Sequence, residues 1–415
     1  MKRTCTPMVS TMKVLLARQS ILDRDLEVLG YELLFRDPET GDGSISDPDS
    51  ATSTVISNAL LELGLETVAG SVPAFLRVTR QFLLWDNPIL FEAEDVVFEI
   101  VDVDPDDTEL LETVTRLAQI GYRFCGTVPA DIDPDARLLQ FLTYAKIELS
   151  DDSADLCGAV SAIQERGVSC IGLKVETQEQ FASAMEAGFD AFQGSFLHHP
   201  EDVRGERLAE SKIGVLQLMA QLHDPDVEID PIKEIVSADP GLSHRILQIA
   251  GTAAYGVTKV TSIDQAIMRI GFRQLREWLT MLSLSTLDDR PSEILNVALL
   301  RAKMCEILKP DVEGVDAAEL FTVGLLSLLD ALMNAPMSDV LERLPLADEV
   351  TAAVLDQTGP AGAVLQAVKA YLAGEWDAVS SGGLSESDVF DAWLEGLSWV
   401  NRVRASLAPA SASVA

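Results

Sequence analysis

Four polar residues that could share one chemistry, Glu32, Glu99, Lys146 and Gln193, fall in four separate short apolar runs of this chain. Glu32 lies in Leu29-Gly-Tyr-Glu-Leu-Leu-Phe-Arg36, Glu99 in Val97-Phe-Glu-Ile-Val-Asp102, and Lys146 in Tyr144-Ala-Lys-Ile-Glu148. Gln193 precedes Gly194. Carboxylates are the hard oxygen ligands that magnesium and calcium select, and a metal held this way can ionise a water for attack. Taken alone, the two glutamates suggest a metal enzyme. The competing reading is an internal ion pair, Glu32 and Glu99 with Arg77, and a bridge from Lys146 to Glu99 or Glu148.

The elements that must position these residues are legible as pattern. Strands are expected at Val14–Ile21, Leu29–Phe35, Ala74–Val78, Val96–Val101, Arg123–Val128, Ala145–Leu149, Ser169–Val175 and Ala191–Leu197. Helical spacing fills Ala51–Val68, Thr108–Ile120, Ser153–Glu165 and Gln178–Ala187. Strands alternating with helices predict a parallel sheet, open or closed into a barrel. In a barrel the strand C-termini carry the chemistry, and the four polar residues sit on four different strands as that requires.

Around His199-Pro200 the pattern changes, and from Leu208 onward amphipathic helices follow one another. Asp230-Pro231 and Asp239-Pro240 read as helix starts, with aspartate as cap and proline at the first helical position. Helices continue through Ala317–Asn334, Gly362–Ala373 and Ser387–Leu407. The organisation expected is a tail over 1–11, a barrel over 12–204, an all-α domain over 205–407 and a frayed end over 408–415. Met12 directly precedes the first strand pattern and is read as an alternative start.

At 415 residues the chain has room for two or three cores, and it is 47% hydrophobic and 23% charged. No apolar run approaches the roughly 18 residues of a membrane span, and no signal peptide is recognisable, so the expected location is the cytoplasm. The five cysteines are scattered with no Cys-x-x-Cys pair, and are read as reduced and structural. Sixty-six acidic against 31 basic residues give a formal charge of −35. A field of that sign disfavours nucleic acids and anionic membrane surfaces as partners.

The run containing Glu32-Leu33-Leu34 resembles the signature of EAL domains, the phosphodiesterase modules that linearise cyclic di-GMP. In the second half, Asp239-Pro-Gly-Leu-Ser-His-Arg-Ile-Leu247, Thr252-Ala-Ala-Tyr-Gly256 and Ser262-Ile-Asp-Gln-Ala-Ile-Met-Arg-Ile-Gly271 resemble HDOD domains. HDOD domains are helical relatives of HD phosphohydrolases that generally lack the metal-binding residues. The order resembles bacterial EAL–HDOD signalling proteins over about Met12 to Leu407. It implies a TIM-like α/β barrel of EAL type followed by an all-α HDOD domain.

The resemblance also implies roles. Glu32 matches a metal ligand from the name motif, and Arg36 a phosphate contact. Arg77 stands where an asparagine ligand is expected. Glu99 matches a glutamate ligand, with Asp102 in place of a loop-stabilising glutamate. The paired aspartates that hold both metals fall on Thr127 and Val128. Lys146 matches the lysine that orients the water. In Gly172-Leu-Lys-Val-Glu-Thr177, Leu173 replaces one glutamate and Glu176 keeps the second. Gln193 matches the closing glutamine of the site.

Losing both bridging aspartates and gaining Arg77 leaves too little negative charge for two dications. The expectation is therefore a non-catalytic regulator with no catalytic residues and no bound metal. Its vestigial site is Glu32, Glu99, Lys146 and Glu176, with Arg36 and Gln193 as nucleotide-binding candidates. Protein partners act through the HDOD domain; cyclic di-GMP is a candidate ligand and a homodimer a candidate assembly. The alternative is a cyclic di-GMP phosphodiesterase with a rearranged site, the one case that calls for magnesium or manganese.

His223-Asp224 spells the dipeptide of HD hydrolases but precedes Pro225, and only His198, His199 and His244 remain elsewhere. That is too few for a multi-histidine metal site. Trp278, Trp376, Trp393 and Trp399 are read first as core, with an interface role as the alternative.

Overall fold

The computed structural model describes residues 15–36, 64–84, 89, 91–100, 107–133, 135–149, 156–198, 250, 263–271, 275, 279, 291–309, 314–344, 346–381 and 384–407. Eight strands close into a barrel in sequence order, β1 to β8. They are β1 (Leu15–Asp23), β2 (Val28–Arg36), β3 (Ala74–Val78), β4 (Val96–Ile100), β5 (Arg123–Thr127), β6 (Tyr144–Glu148), β7 (Ser169–Leu173) and β8 (Ala191–Gln193). Helices α1 (Leu65–Ala69), α2 (Arg80–Leu84), α3 (Thr108–Gln119), α4 (Leu156–Gln164) and α5 (Gln178–Ala187) lie between them.

The sheet departs from the expected parallel arrangement at one strand. β1 runs antiparallel to both β2 and β8, while β2 through β8 are parallel neighbours. The cause is the short link between β1 and β2. Asp23 accepts from the backbone N–H groups of Asp25, Leu26 and Glu27, folding a tight turn that leaves no room for a crossover helix.

Strand alternation then builds the site. Ile21, Phe75, Val97, Cys125, Ile171 and Ala191 pack as a separate apolar cluster inside the barrel. One pleat further toward the mouth on the same strands come Gln19, Arg77, Glu99, Thr127, Leu173 and Gln193. An apolar plug with a mostly polar layer above it is the pattern of a barrel whose mouth carries function. Gly30 is required by this packing: a Cβ there would lie 2.6 Å from the Phe75 ring and 2.8 Å from the Pro73 carbonyl.

β8 is shorter than expected. It stops at Gln193, and Phe196–His198 forms a 3-10 turn in place of further strand. Gly194 passes over the Val175 peptide so closely that an added Cβ would sit 1.9 Å from the carbonyl oxygen. Gly194→Ala should therefore displace the strand end carrying Gln193 and cost roughly 1–3 kcal/mol. Urea unfolding checks this; an unchanged midpoint would show that the close approach is relieved without cost.

The described helices after the barrel are α6 (Ile263–Ile270), α7 (Ser292–Ile307), α8 (Ala317–Leu326), α9 (Leu329–Met333), α10 (Met337–Leu341), α11 (Asp348–Leu355), α12 (Gly359–Ala373), α13 (Trp376–Ser381) and α14 (Glu386–Leu407). The run expected as one helix over Ala317–Asn334 is broken at Ser327 and Leu328. α7 is buried along most of its length and forms the centre of the bundle, against α8, α12 and α14. Trp376, Trp393 and Trp399 are buried in the bundle core, whereas Trp278 lies outside the described residues. The 204/205 boundary, His199, His223-Asp224 and the two Asp-Pro helix starts also lie outside them. Among the described residues no helix is long and apolar enough to cross a membrane.

The bundle docks on the barrel. One apolar cluster runs through both, and α12 and α14 pack on β1. Tyr371 donates its hydroxyl to the Leu16 carbonyl at 2.5 Å, and Asn401 donates to the Thr67 carbonyl at 3.1 Å.

Candidate functional site

β2, β4 and β6 bring Glu32, Glu99 and Lys146 together inside the barrel mouth. The Lys146 ammonium donates to Glu32 Oε2 at 2.8 Å and to Glu99 Oε2 at 2.6 Å. All three are almost fully enclosed, at 1% exposure for Lys146, 3% for Glu32 and 0% for Glu99. Arg77 enters from β3, half exposed, with Nε 3.2 Å from Glu32 Oε1 and 3.6 Å from Glu99 Oε1. These two oxygens feel its charge but receive no hydrogen bond. Gln193 closes the group, its Nε2 donating to Glu32 Oε2 at 2.5 Å and to Gln19 Oε1 at 2.9 Å.

Burial by itself would raise the Glu32 pKa. The Lys146 and Arg77 charges, with hydrogen bonds from Lys146 and Gln193, outweigh it and hold the carboxyl below its ordinary value. For Lys146, burial pulls downward, and the two glutamates reverse it and hold the ammonium above its ordinary value. Glu32 and Glu99 each pair with both Lys146 and Arg77. Lys146 does not pair with Glu148, which bonds the exposed Lys174 at 2.7 Å.

The remaining positions are spread around this cluster. Thr127 is exposed at the end of β5. Val128 is buried in the apolar layer outside the barrel, facing away from the mouth. Leu173 and the exposed Glu176 line the rim. Arg36 ends β2, but its side chain, like all of Asp102, lies outside the described residues. Among the described residues no group of three or more His, Cys, Asp and Glu side chains is placed to hold a metal ion.

Two members of the site are absent from the sequence reading. Gln19 comes from β1 and reaches the mouth because that strand is antiparallel; its polar run Arg18-Gln-Ser20 within an apolar strand is the signal. The second is a pair across the domains. Tyr31, next to Glu32 on the outer face of β2, donates its hydroxyl to Glu293 Oε2 of α7 at 3.0 Å. Burial, then the Glu293 charge, pushes this phenol well above its ordinary value. The barrel mouth and the bundle together enclose a cleft of about 470 Å³, bordered by Arg77, Lys174 and Gln193 on one side and by Glu293, Arg301 and Lys369 on the other.

A barrel closed by one antiparallel strand, with acidic strand ends and a helical bundle docked beside its mouth, defines a two-domain α/β-plus-α architecture. Residues 212–351 match the HDOD domain family. The chain is 29% identical over 405 residues to the protein YuxH of Bacillus subtilis, covering 94% of this chain and 99% of that one. It is 28% identical over 401 residues to the cyclic di-GMP phosphodiesterase CdgJ of Vibrio cholerae, covering 93% of each. Among solved structures, an EAL domain protein of Listeria monocytogenes aligns at 14% identity with a TM-score of 0.35, covering 46% of this chain and 93% of that one. The Bacillus subtilis YkuI protein, solved with cyclic di-GMP and calcium, aligns at 18% identity with a TM-score of 0.37, covering 55% and 72%. The chain places an eight-stranded barrel ahead of a helical region that matches the HDOD domain, and over nearly its whole length it is similar to YuxH and CdgJ, the second of them a cyclic di-GMP phosphodiesterase. This likeness supports a general regulatory role.

Proposed function

We propose that the chain is a non-catalytic regulator of the cyclic di-GMP type, in which the barrel senses or scaffolds and the HDOD domain delivers output through protein contacts. The observation that carries this reading is the Lys146 ammonium seated between Glu32 and Glu99, with Arg77 as a second cation over both. Two carboxylates matched by two cations leave no net negative charge for a dication. The Thr127 side chain offers only a neutral hydroxyl, and those of Val128 and Leu173 offer no oxygen, where charged ligands would be needed. This donor set does not fit a two-metal centre, and the reading needs no metal or other cofactor. Without metal-activated water, most of the rate enhancement of such a hydrolase is forfeited.

A sensing role is supported by the cleft, whose size is within the range of small-molecule sites and whose mouth presents Arg77, Lys174 and Gln193. The fully enclosed state of Glu32 and Glu99 favours a scaffold of fixed geometry beneath it. A second reading, phosphodiester hydrolysis by a rearranged magnesium or manganese site, is favoured by the activity named for the Vibrio relative.

Calorimetric titration with cyclic di-GMP, with and without magnesium or manganese, separates the two. Binding that is independent of metal, with no linear product formed, is the expected result. Turnover that disappears in Glu99→Gln would overturn the reading, and absence of binding would remove the sensing half and leave the scaffold.

A further inference from the structure

The bundle side of the cleft contains two cations, Arg301 and Lys369, that the Asp330 charge reaches only through space among the described residues. Glu293, Asn296, Val297, Leu300 and Arg301 recur at three- and four-residue spacing along α7 and so share the face that borders the cleft. Glu293 is already occupied, since its Oε2 accepts from both Tyr31 and Asn296. Arg301 is not. It is 5% exposed, its Nη1 makes one long bond to Ser327 Oγ at 3.3 Å, and its Nε has no acceptor. Lys369, half-buried on α12, lines the same wall.

No carboxylate of the described residues lies within ion-pair distance of either cation. Asp330 acts on both through space, but its Oδ1 accepts from the Ala331 backbone N–H at 2.8 Å. Burial brings the Arg301 guanidinium down to about 10. Burial and then the Arg301 charge lower Lys369. Two like charges, one fully enclosed with a spare N–H, are costly in a folded protein unless something answers them.

We propose that Arg301 and Lys369 form an anion site of the helical domain, one that takes a phosphate-class group within the cleft shared with the barrel mouth. A guanidinium beside an ammonium suits a tetrahedral dianion, because both give charge-assisted hydrogen bonds from different directions. Val297, Leu300 and Leu372 supply apolar wall beside it, so a phosphate ester with an organic portion fits the space better than a bare ion. The site lies on the bundle, not on the carboxylate cluster, and it does not depend on whether the barrel binds a nucleotide. An occupant would touch both domains, giving the bundle a means of sensing the cleft.

The test is thermal unfolding of the full chain in inorganic phosphate against chloride of equal ionic strength. Phosphate at tenfold its dissociation constant should raise the wild-type midpoint by roughly 2–4 °C. Lys369→Gln, at a half-exposed position, should fold with an unchanged or higher midpoint in chloride and lose the phosphate shift. Lys303→Gln removes a charge from α7, the helix that carries Arg301, outside the cleft and should keep the shift. A wild-type chain that ignores phosphate, or a Lys369→Gln variant that responds as strongly as wild type, would overturn the site. Neither result touches the cyclic di-GMP titration, so the two proposals fail separately.

Discussion

Replacing Lys146 by methionine is expected to destabilise the chain by about 3–5 kcal/mol at neutral pH, the scale for removing one partner of a buried charge pair. Methionine has a similar length and flexibility, so the loss would come from charge rather than from a cavity. Glu32 and Glu99, at 3% and 0% exposure, would be left with Arg77 Nε alone, 3.2 and 3.6 Å from one oxygen of each. Both Oε2 atoms would lose their ammonium donor, and two like charges would face one another in a nearly water-free space.

The pH dependence distinguishes this from a packing defect. In the wild type the Glu32 carboxyl is held below its ordinary value. It therefore contributes stability that is present above the unfolded value of about 4.3 and is lost as pH falls through the lower folded value. Lys146, held above its ordinary value, contributes stability present at neutral pH and lost only as pH rises through its raised folded value. In Lys146→Met the sign for Glu32 reverses, because burial and the neighbouring Glu99 charge now favour its protonation. The deficit should shrink between pH 7 and about pH 5. Urea titrations at the two pH values measure it, and an equal deficit at both would sink the electrostatic account.

The strand assignments were legible because alternation and length are local properties. Phe75 and Arg77, Val97 and Glu99, and Ala191 and Gln193 are each two residues apart, so placing one member of a pair in the barrel places the other at the mouth. What the pattern does not encode is direction. The seven residues between the expected first and second strands are too few for a crossover helix, and that spacing is the one local sign of the antiparallel β1 that brings Gln19 into the site. The same local logic overextended β8 as far as Leu197. Its apolar residues Phe196 and Leu197 are buried, but by a 3-10 turn, because Gly194 must pass over the Val175 peptide.

The charge balance of the site was half legible. Residue types alone allowed Glu32 and Glu99 to pair with Arg77, and Lys146 with Glu99 or Glu148. Choosing among these needs the barrel's radius and shear, which decide which strand ends face one another across the mouth. Contacts between the domains were not legible at all. Tyr31 and Glu293 are 262 positions apart, and Tyr31 reads as an ordinary strand aromatic until α7 is docked beside it. Arg301 likewise reads as the polar face of a helix, and only the burial of α7 makes its open Nε conspicuous.

Tyr371→Ala is the second substitution expected to have a large effect, about 3–5 kcal/mol for a fully buried aromatic, because the residue serves both domains. Its ring meets Trp376 edge-on at 5.0 Å and Trp393 at 6.1 Å inside the bundle. Its hydroxyl reaches the barrel at the Leu16 carbonyl. That carbonyl needs a donor. β8 meets β1 only over Ile21–Asp23, so the earlier residues of β1 have no neighbouring strand on that side, and Leu16 is itself 1% exposed. Removing the hydroxyl alone, in Tyr371→Phe, leaves a buried acceptor unsatisfied and should cost about 1–3 kcal/mol. Removing the ring also opens the bundle core beneath the contact. Calorimetric melting should then resolve barrel and bundle as separate transitions where the wild type melts as one. A single transition in Tyr371→Ala, shifted no further than that of Tyr371→Phe, would mean that the bundle and barrel are held together by the surrounding apolar contact and not by this residue.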